Sequence, residues 1–132
     1  MFKKINHVAL VVKDIEETMA FYQMVFNLPS APVKDIPDQG VKGALVPAWN
    51  TQIEFIQPIT PDTGVARFLE KRGEGLHHVC FEVDNIVEEL ARLEAKGFRL
   101  IDKTPRRGLA GMIAFIHPSS TKGVLIELAQ PV

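Results

Sequence analysis

The pattern of apolar and polar positions in this chain occurs twice. Apolar, mostly β-branched residues follow His7, and a similar run follows His78, 71 positions later (78 minus 7). A second pair of repeated segments contains Glu54 and Glu127, which lie in similar apolar runs 73 positions apart (127 minus 54). Each half of the chain therefore begins with a predicted strand that carries a histidine and ends with a predicted strand that carries a glutamate.

In the first half, the pattern predicts the order strand, helix, strand, strand, strand. The helix is capped by Asp14 and ends near Asn27, because apolar residues recur between them at helical spacing. A Pro-rich stretch follows, and a loop at residues 47–50 joins the last two strands. The predicted strands are His7–Val12, a short one around Ala31–Val33, Val41–Val46 and Thr51–Gln57.

The second half predicts the same order. Its helix runs from Asn85 to Lys96, and Gly97 ends it. A short helix between Gly64 and Gly73 links the halves, and residues 103–111 form a basic loop. The predicted strands are His77–Val83, Arg99–Asp102, Met112–His117 and Gly123–Ala129.

Two copies of a unit this long indicate gene duplication rather than a solenoid. We therefore expect an α+β protein with one domain, residues 1–132, in which two tandem βαβββ modules are related by a pseudo-two-fold axis. Module one covers about 1–60, a linker about 61–74, and module two about 75–132.

Composition excludes several function classes. The 132 residues include 15 basic and 16 acidic ones, so a net charge of −1 gives no reason to expect nucleic acid or a membrane surface as a partner. No apolar run approaches the roughly 18 residues of a membrane span. The single cysteine, Cys80, rules out a disulfide framework and a multi-cysteine zinc site, and we interpret it as a core residue. A soluble cytoplasmic protein is expected.

In a pseudo-symmetric domain, equivalent strands of both halves can converge on the axis. They would bring His7, Glu54, His78 and Glu127 together. A carboxylate on an otherwise apolar strand is costly to bury without a compensating charge. Two imidazoles and two carboxylates suit a divalent ion such as Zn, Ni, Co, Mn or Fe, so the sequence predicts a metal site.

Taken alone, each residue of this set could have a more ordinary role. A lone histidine on an apolar strand is more often a core residue, and a strand glutamate usually faces solvent, but here both ordinary roles would have to occur twice at repeat-related positions. His77 is repeat-matched to Asn6 and should point to the face opposite His78. His117, directly before Pro118, is expected to be structural.

These segments resemble the vicinal oxygen chelate superfamily, the glyoxalase-like βαβββ metalloenzymes, and within it the methylmalonyl-CoA epimerases. The similarity covers nearly the whole chain, and its most specific segments are residues 68–78 and 115–128. The resemblance implies a curved mixed sheet around a divalent ion, with Co, Ni, Mn or Zn as candidates. By the same resemblance, the metal ligands are His7, Glu54, His78 and Glu127.

The resemblance also implies interconversion of (R)- and (S)-methylmalonyl-CoA through a metal-stabilised enolate. Glu127 would be both a metal ligand and the residue that removes or returns the proton. Glu54 is the candidate to transfer a proton on the other face of the substrate. A carboxylate that some epimerases place on the third strand of the first half maps near Gly43, so the second acid/base is left open. The family tends to form homodimers, and the candidates to bind the CoA phosphates are Lys42, Lys103, Arg106 and Arg107.

Two alternative functions stay open. Glyoxalase I (lactoylglutathione lyase) uses a similar His/Glu/His/Glu set to isomerise a glutathione hemithioacetal, and fold alone does not separate the two enzymes. The segments at Gly75–His78 and Lys122–Val124 favour the epimerase. The other alternative is a metal-free small-molecule binding or resistance protein, which would not need to retain the full ligand set.

Overall fold

Each half of the chain has the order β-α-β-β-β in the computed structural model, which describes residues 1–132. The predicted α+β fold of two tandem βαβββ modules is therefore confirmed. The elements are β1 (Phe2–Val11), α1 (Ile15–Phe26), β2 (Lys34–Ile36), β3 (Val41–Ala48), β4 (Thr51–Pro58), α2 (Gly64–Arg72), β5 (Gly75–Val83), α3 (Ile86–Ala95), β6 (Arg106–Gly108), β7 (Gly111–Ile116) and β8 (Ile126–Gln130). All eight strands belong to one mixed sheet in the order β2-β3-β4-β1-β5-β8-β7-β6.

Contacts between residues define two compact units. The first unit is Val8–His77, and the second unit combines Met1–His7 with His78–Val132. Strands β1 and β5 each contribute residues to both units. The predicted single domain, with module one at about 1–60, a linker at about 61–74 and module two at about 75–132, follows the repeat in the sequence and stays a prediction.

The two long helices begin in the same way. Asp14 caps α1 and Asn85 caps α3, and in each case the side-chain oxygen accepts a hydrogen bond from the backbone N–H three residues later, at 3.1 Å. The side chains of Gln57 and Gln130 accept the N–H of the first residue of α1 and α3, respectively, at 2.9 Å. Each helix is thus fixed to a strand of its own half by a repeat-related glutamine.

The parallel strand pairs also repeat. In the first unit β1 pairs with β4, and Ala9 lies opposite Glu54. In the second unit β5 pairs with β8, and Cys80 lies opposite Glu127. Because a one-residue slip in register would turn every side chain to the other face, this shared register places the two glutamates equivalently in their halves.

Each unit has an apolar core under its helix. The core of the second unit buries the apolar face of α3 against strands β5, β7 and β8, with Val83, Ile86, Leu90, Leu93, Ala114, Ile116 and Leu128. In the first unit the equivalent cluster contains Val12, Ile15, Met19, Ala44, Val46 and Phe55. None of the helices is both long enough and apolar enough to span a membrane.

The strand predicted at Arg99–Asp102 is wrong. Leu100 forms only an isolated bridge with β7, and the edge strand lies at Arg106–Gly108, inside the predicted basic loop. Asp102 explains the change, because its Oδ2 accepts the backbone N–H of Phe115 at 2.9 Å. The N–H of Phe115 is therefore hydrogen-bonded to a side chain, at the point where a backbone ladder between β7 and residues 99–102 would need it.

The short strand predicted around Ala31–Val33 is displaced to Lys34–Ile36, where it pairs with β3. Ala31 and Val33 pack against the core of the first unit instead. Pro32 between them has no N–H to donate to a ladder, which favours packing over pairing there. The predicted linker helix is confirmed as α2, and Thr63 caps it.

Candidate metal centre

Three of the predicted ligands meet in the second unit. The Nε2 atoms of His7 and His78 are 3.3 Å apart. Glu127 Oε1 lies 3.0 Å from His7 Nε2 and 3.6 Å from His78 Nε2. All three residues are buried, with at most 4% of their surface exposed. The structure therefore brings together one residue from each of the strands β1, β5 and β8.

Strand alternation explains why these side chains share a face. On β8, Leu128 packs in the core under α3, so the neighbouring Glu127 points to the other face of the sheet. Phe115 on β7 lies opposite Glu127, and its ring meets the ring of His78 edge-on at 5.1 Å. Helix α3 packs on one face of the sheet, and the cluster of His7, His78 and Glu127 therefore lies on the opposite face.

The electrostatics of the cluster require a positive charge. Burial raises the pKa of Glu127, but the adjacent imidazoles of His7 and His78 lower it more, to about 2. The carboxylate is therefore ionised at neutral pH. Glu127 Oε1 is buried and accepts no hydrogen bond. A buried, ionised oxygen without a donor is costly unless a cation lies beside it.

The donor set fits a divalent metal ion. Two imidazole nitrogens and a carboxylate oxygen are ligand types that Zn²⁺ and the later transition metals accept, and their mutual distances of 3.0–3.6 Å suit atoms that surround one centre. The unsatisfied Glu127 Oε1 would gain its missing partner in such an ion. The residues present therefore pass this test for a metal site.

Sequence reasoning missed a further donor of this cluster. Cys80, which we interpreted as a core residue, is fully buried, as expected. Its sulfur nevertheless lies in a group with His7 and Glu127 whose ligand atoms are all within 4.8 Å of one another. The available signal was strand alternation, since Cys80 is two residues after His78 and shares its face.

Glu54 lies in β4 of the first unit, opposite Ala9, and is 7% exposed. Burial of this carboxylate agrees with the expectation that it does not simply face solvent. Its participation in a common centre with His7, His78 and Glu127 stays a prediction.

The other two histidines have the positions expected for residues outside the centre. His77 belongs to the first unit, where its ring packs edge-on against Phe68 at 4.9 Å. His117 accepts the backbone N–H of Ser119 through Nδ1 at 3.0 Å and so caps the 3₁₀ turn at Pro118–Ser120. His117 is therefore structural.

A second set of residues missed by sequence reasoning lies behind His7. Asn6 is 5% exposed, and its Oδ1 is 2.7 Å from His7 Nδ1. Its Nδ2 donates to Glu82 Oε1 at 3.0 Å. Neither Asn6 nor Glu82 has a counterpart of the same type at the repeat-related position, so the repeat gave no signal for them.

Of the predicted phosphate-binding cations, Arg106 has the most defined position. Asp102 Oδ1 accepts from its Nε at 3.2 Å, and its guanidinium lies over the ring of Phe115, 5.7 Å from the centroid. The same ring contacts His78. Arg106 therefore places a positive charge one aromatic ring away from a candidate ligand.

The remaining cations differ from Arg106. Arg107 is exposed, and it points to the other face of β6. Lys103 pairs with Glu94 at 3.4 Å and is largely exposed. Lys42 lies in β3 of the first unit.

The first unit has a cleft of its own, with a volume of about 520 Å³. It lies where β1 ends and α1 begins, and its walls include Lys13, Tyr22 and Glu74. None of the four predicted metal ligands lines it.

Comparisons with known proteins place the chain in a family. A profile of the Glyoxalase/Bleomycin resistance protein/Dioxygenase superfamily matches residues 6–116. The mitochondrial methylmalonyl-CoA epimerase of Bos taurus is 38% identical over 129 residues, which are 96% of this chain and 74% of that protein. The ethylmalonyl-CoA/methylmalonyl-CoA epimerase of Cereibacter sphaeroides is 35% identical over 133 residues, covering 98% of this chain and 99% of that protein.

Solved structures agree with these relatives. A methylmalonyl-CoA epimerase in complex with methylmalonyl-CoA and NH4+ superposes with a TM-score of 0.96 and 28% identity, over 100% of this chain and 96% of that one. The lactoylglutathione lyase GLX1 of Arabidopsis thaliana is less similar, at 25% identity, and this chain spans only 44% of it. This chain therefore belongs to the glyoxalase/bleomycin resistance/dioxygenase superfamily and, within it, to the family of the methylmalonyl-CoA epimerases.

Proposed function

We propose that this chain interconverts (R)- and (S)-methylmalonyl-CoA by removing the α-proton and returning it to the opposite face. The observation that carries the proposal is the buried cluster of His7, His78 and Glu127, in which an ionised carboxylate oxygen lacks a hydrogen-bond donor. Family membership supplies the substrate class, because several relatives are named methylmalonyl-CoA epimerase.

The proposed centre holds one divalent ion, with Co, Ni, Mn and Zn as candidates. His7, His78 and Glu127 are three ligands, and the repeat supports Glu54 as the fourth, since it has the register of Glu127 in the other half. When bound, the ion would supply a fixed positive charge close to the thioester oxygen on which negative charge develops.

Two carboxylates are available to move the proton. Glu127 is ionised at neutral pH and could accept the α-proton from one face. Glu54 is the candidate for the other face, because Gly43 has no side chain that could serve there. A base placed in this way typically contributes about 10²–10⁴-fold to the rate.

The substrate is proposed to be an acyl-CoA ester. A structural neighbour of 28% identity contains methylmalonyl-CoA, and its fold matches this chain over its whole length. In this chain Arg106 is the cation whose position best supports contact with an anionic group of such a substrate, since it is held beside Phe115 and thereby near His78.

A homodimer and a cytoplasmic location complete the proposal. The C-terminal half of α1 supports self-association, because four large apolar residues are exposed there: Phe21, Met24, Val25 and Phe26. Sedimentation analysis of the purified protein tests the dimer.

Proton exchange in D₂O tests the reaction. Wild-type protein loaded with Co²⁺ should replace the α-hydrogen of methylmalonyl-CoA by deuterium, seen as loss of the α-proton signal in the NMR spectrum. A parallel assay with the methylglyoxal-glutathione adduct covers the glyoxalase alternative. Exchange with no isomerisation supports the epimerase, whereas isomerisation with no exchange would replace it by a glyoxalase.

Metal analysis tests the third alternative. Protein purified without added metal or chelator should contain a divalent ion. Protein that contains none, and that binds no Co²⁺ or Zn²⁺ when these are added, would instead be a metal-free binding protein of the same fold.

A further inference from the structure

A relay of hydrogen bonds runs from the half-buried Glu82 through the buried Asn6 to the candidate ligand His7. Asn6 Nδ2 donates to Glu82 Oε1 at 3.0 Å, and Asn6 Oδ1 faces His7 Nδ1 at 2.7 Å. Asn6 is 5% exposed and His7 is fully buried, so water does not compete strongly for the contact between these two side chains. Lys3 Nζ lies 3.7 Å from the second oxygen of Glu82 and supplies a cation at the outer end.

The chemistry of the three groups fixes the direction of every bond in this relay. An ionised carboxylate can only accept, so Glu82 determines which end of the Asn6 amide carries its NH₂ group. The amide oxygen of Asn6 then faces His7, and because that oxygen can only accept, His7 Nδ1 must carry the hydrogen. In a neutral His7, Nε2 therefore has a lone pair and no hydrogen.

That lone pair is directed at the candidate centre. His7 Nε2 is the atom that lies 3.0 Å from Glu127 Oε1 and 3.3 Å from His78 Nε2. A histidine with its hydrogen on Nε2 would present a donor there and could satisfy Glu127 without any metal. The relay excludes this tautomer, so the Nε2 atom of a neutral His7 can donate its lone pair to a cation.

We propose that Asn6 is a positioning residue, which holds His7 in the tautomer and orientation that bind the metal ion. This inference rests on the proposed metal centre and adds a determinant that the ligand set does not contain. When a residue that hydrogen-bonds to the other ring nitrogen of a ligating histidine is removed, metal affinity typically falls by about 10–100-fold.

The chain offers a matched comparison for Asn6. The repeat-related position is His77, which also precedes a candidate ligand. Its ring packs on Phe68 in the first unit, so it does not reproduce the contact of Asn6 with His7. His77→Ala therefore removes a neighbour of a ligand without touching the relay.

Cobalt affinity, measured by competition with a chelator at one pH, tests the proposal. Asn6→Leu, which keeps the size of the side chain, should bind Co²⁺ about 10–100-fold more weakly than wild type. His77→Ala should bind it within about twofold of wild type. The double variant Asn6→Asp, Glu82→Gln should recover most of the affinity, because the new amide at position 82 can donate to the new carboxylate at position 6.

The tautomer gives a readout that does not depend on metal or activity. In metal-free wild-type protein, ¹⁵N NMR of the His7 ring should show the hydrogen on Nδ1, and in Asn6→Leu this preference should be lost. A hydrogen on Nε2 of His7 in the wild type would overturn the inference.

The failures are distinguishable. If wild-type protein binds Co²⁺ no better than His78→Ala, the metal centre is wrong and this inference is overturned with it. If wild type binds Co²⁺ and Asn6→Leu binds it equally well, the centre stands and only the role of Asn6 is overturned.

Discussion

At the scale of single residues, Glu127 combines the strongest constraints in the structure. It is buried, ionised and lacks a hydrogen bond to Oε1, and two imidazoles lie within 3.6 Å of that oxygen. A carboxylate retained under these conditions has to gain its stabilisation from a cation. The same residue is the proposed base, because it is unprotonated at neutral pH.

Glu127→Gln should therefore lower kcat by roughly 10²–10⁴-fold with a modest change in KM. The amide keeps one oxygen to face a cation but cannot accept the α-proton. Steady-state kinetics with methylmalonyl-CoA, together with the metal content of the variant, measure this. Glu54→Gln is the comparison: a milder loss assigns Glu54 to metal binding, and an equal loss assigns it to the second proton transfer. A kcat close to wild type in Glu127→Gln would contradict its role as the base.

Arg106→Gln should raise KM for methylmalonyl-CoA roughly tenfold and leave kcat nearly unchanged. A hydrogen bond to a charged group contributes about 1.5–3 kcal/mol, and 1.4 kcal/mol corresponds to a factor of ten. Arg107→Gln is the matched control, since it removes the same charge from the exposed neighbouring position. Equal effects of the two substitutions on KM would show that only the general charge of β6 matters.

Residue patterns in the sequence were sufficient to predict that three of the candidate ligands lie close together. His7, His78 and Glu127 could be predicted because strand alternation and the repeat both select them, and the structure brings their side chains together. Asn6 could not, because an asparagine on a strand has many common roles and the repeat-related position carries no asparagine. Strand alternation places Cys80 on the face of His78, but only the folded chain shows its sulfur close to His7 and Glu127.

At the scale of secondary structure elements, the glutamines at the ends of β4 and β8 couple each long helix to the sheet. The side chain of Gln130 accepts the N–H of Ile86, a residue that is 2% exposed, and Gln57 does the same for Ile15. The first N–H groups of a helix have no partner within the helix, so this bond satisfies a group that would otherwise be buried unpaired.

Gln130→Leu should lower the free energy of unfolding by about 1–3 kcal/mol, the cost of leaving a buried donor unsatisfied. Gln57→Leu should have a similar effect in the other half of the chain. Gln130→Glu keeps an accepting oxygen near a helix N-terminus and should cost less. Urea unfolding of the metal-free proteins measures all three. Equal losses in the Leu and Glu variants at position 130 would mean that packing, and not this hydrogen bond, decides.

Elements with strong periodicity were predictable, whereas the edge strands were not. Helices α1 and α3 have caps and apolar faces that appear in the sequence. Strand β6 is basic and has no apolar alternation, and the two residues between Gly108 and Gly111 carry no common turn signal. The turn that joins it to β7 ends at Gly111, which has φ +116°, and a Cβ there would lie 2.4 Å from the carbonyl oxygen of Gln130 in β8. Such close approaches are visible only in the folded chain.

At the scale of the whole molecule, the second unit joins residues that are distant in the sequence. Its candidate ligands come from β1, β5 and β8, and His7 and His78 are 71 positions apart. An unfolded chain holds no such arrangement, so a metal ion that binds here binds the native state almost exclusively. Its binding free energy then adds to the free energy of folding.

Saturating Co²⁺ should therefore stabilise the wild-type protein, by about 2.7 kcal/mol at a concentration one hundred times Kd, with a rise of several degrees in Tm. His78→Ala should lose this stabilisation, because it removes a nitrogen that lies 3.3 Å from His7 Nε2 and 3.6 Å from Glu127 Oε1. His77→Ala should keep it, since that ring packs on Phe68 in the first unit. Each variant is compared with itself in the presence of a chelator, so that any loss of intrinsic stability cancels. An equal rise in Tm for His77→Ala and His78→Ala would show that the ion binds elsewhere and that the wrong histidine was assigned to the centre.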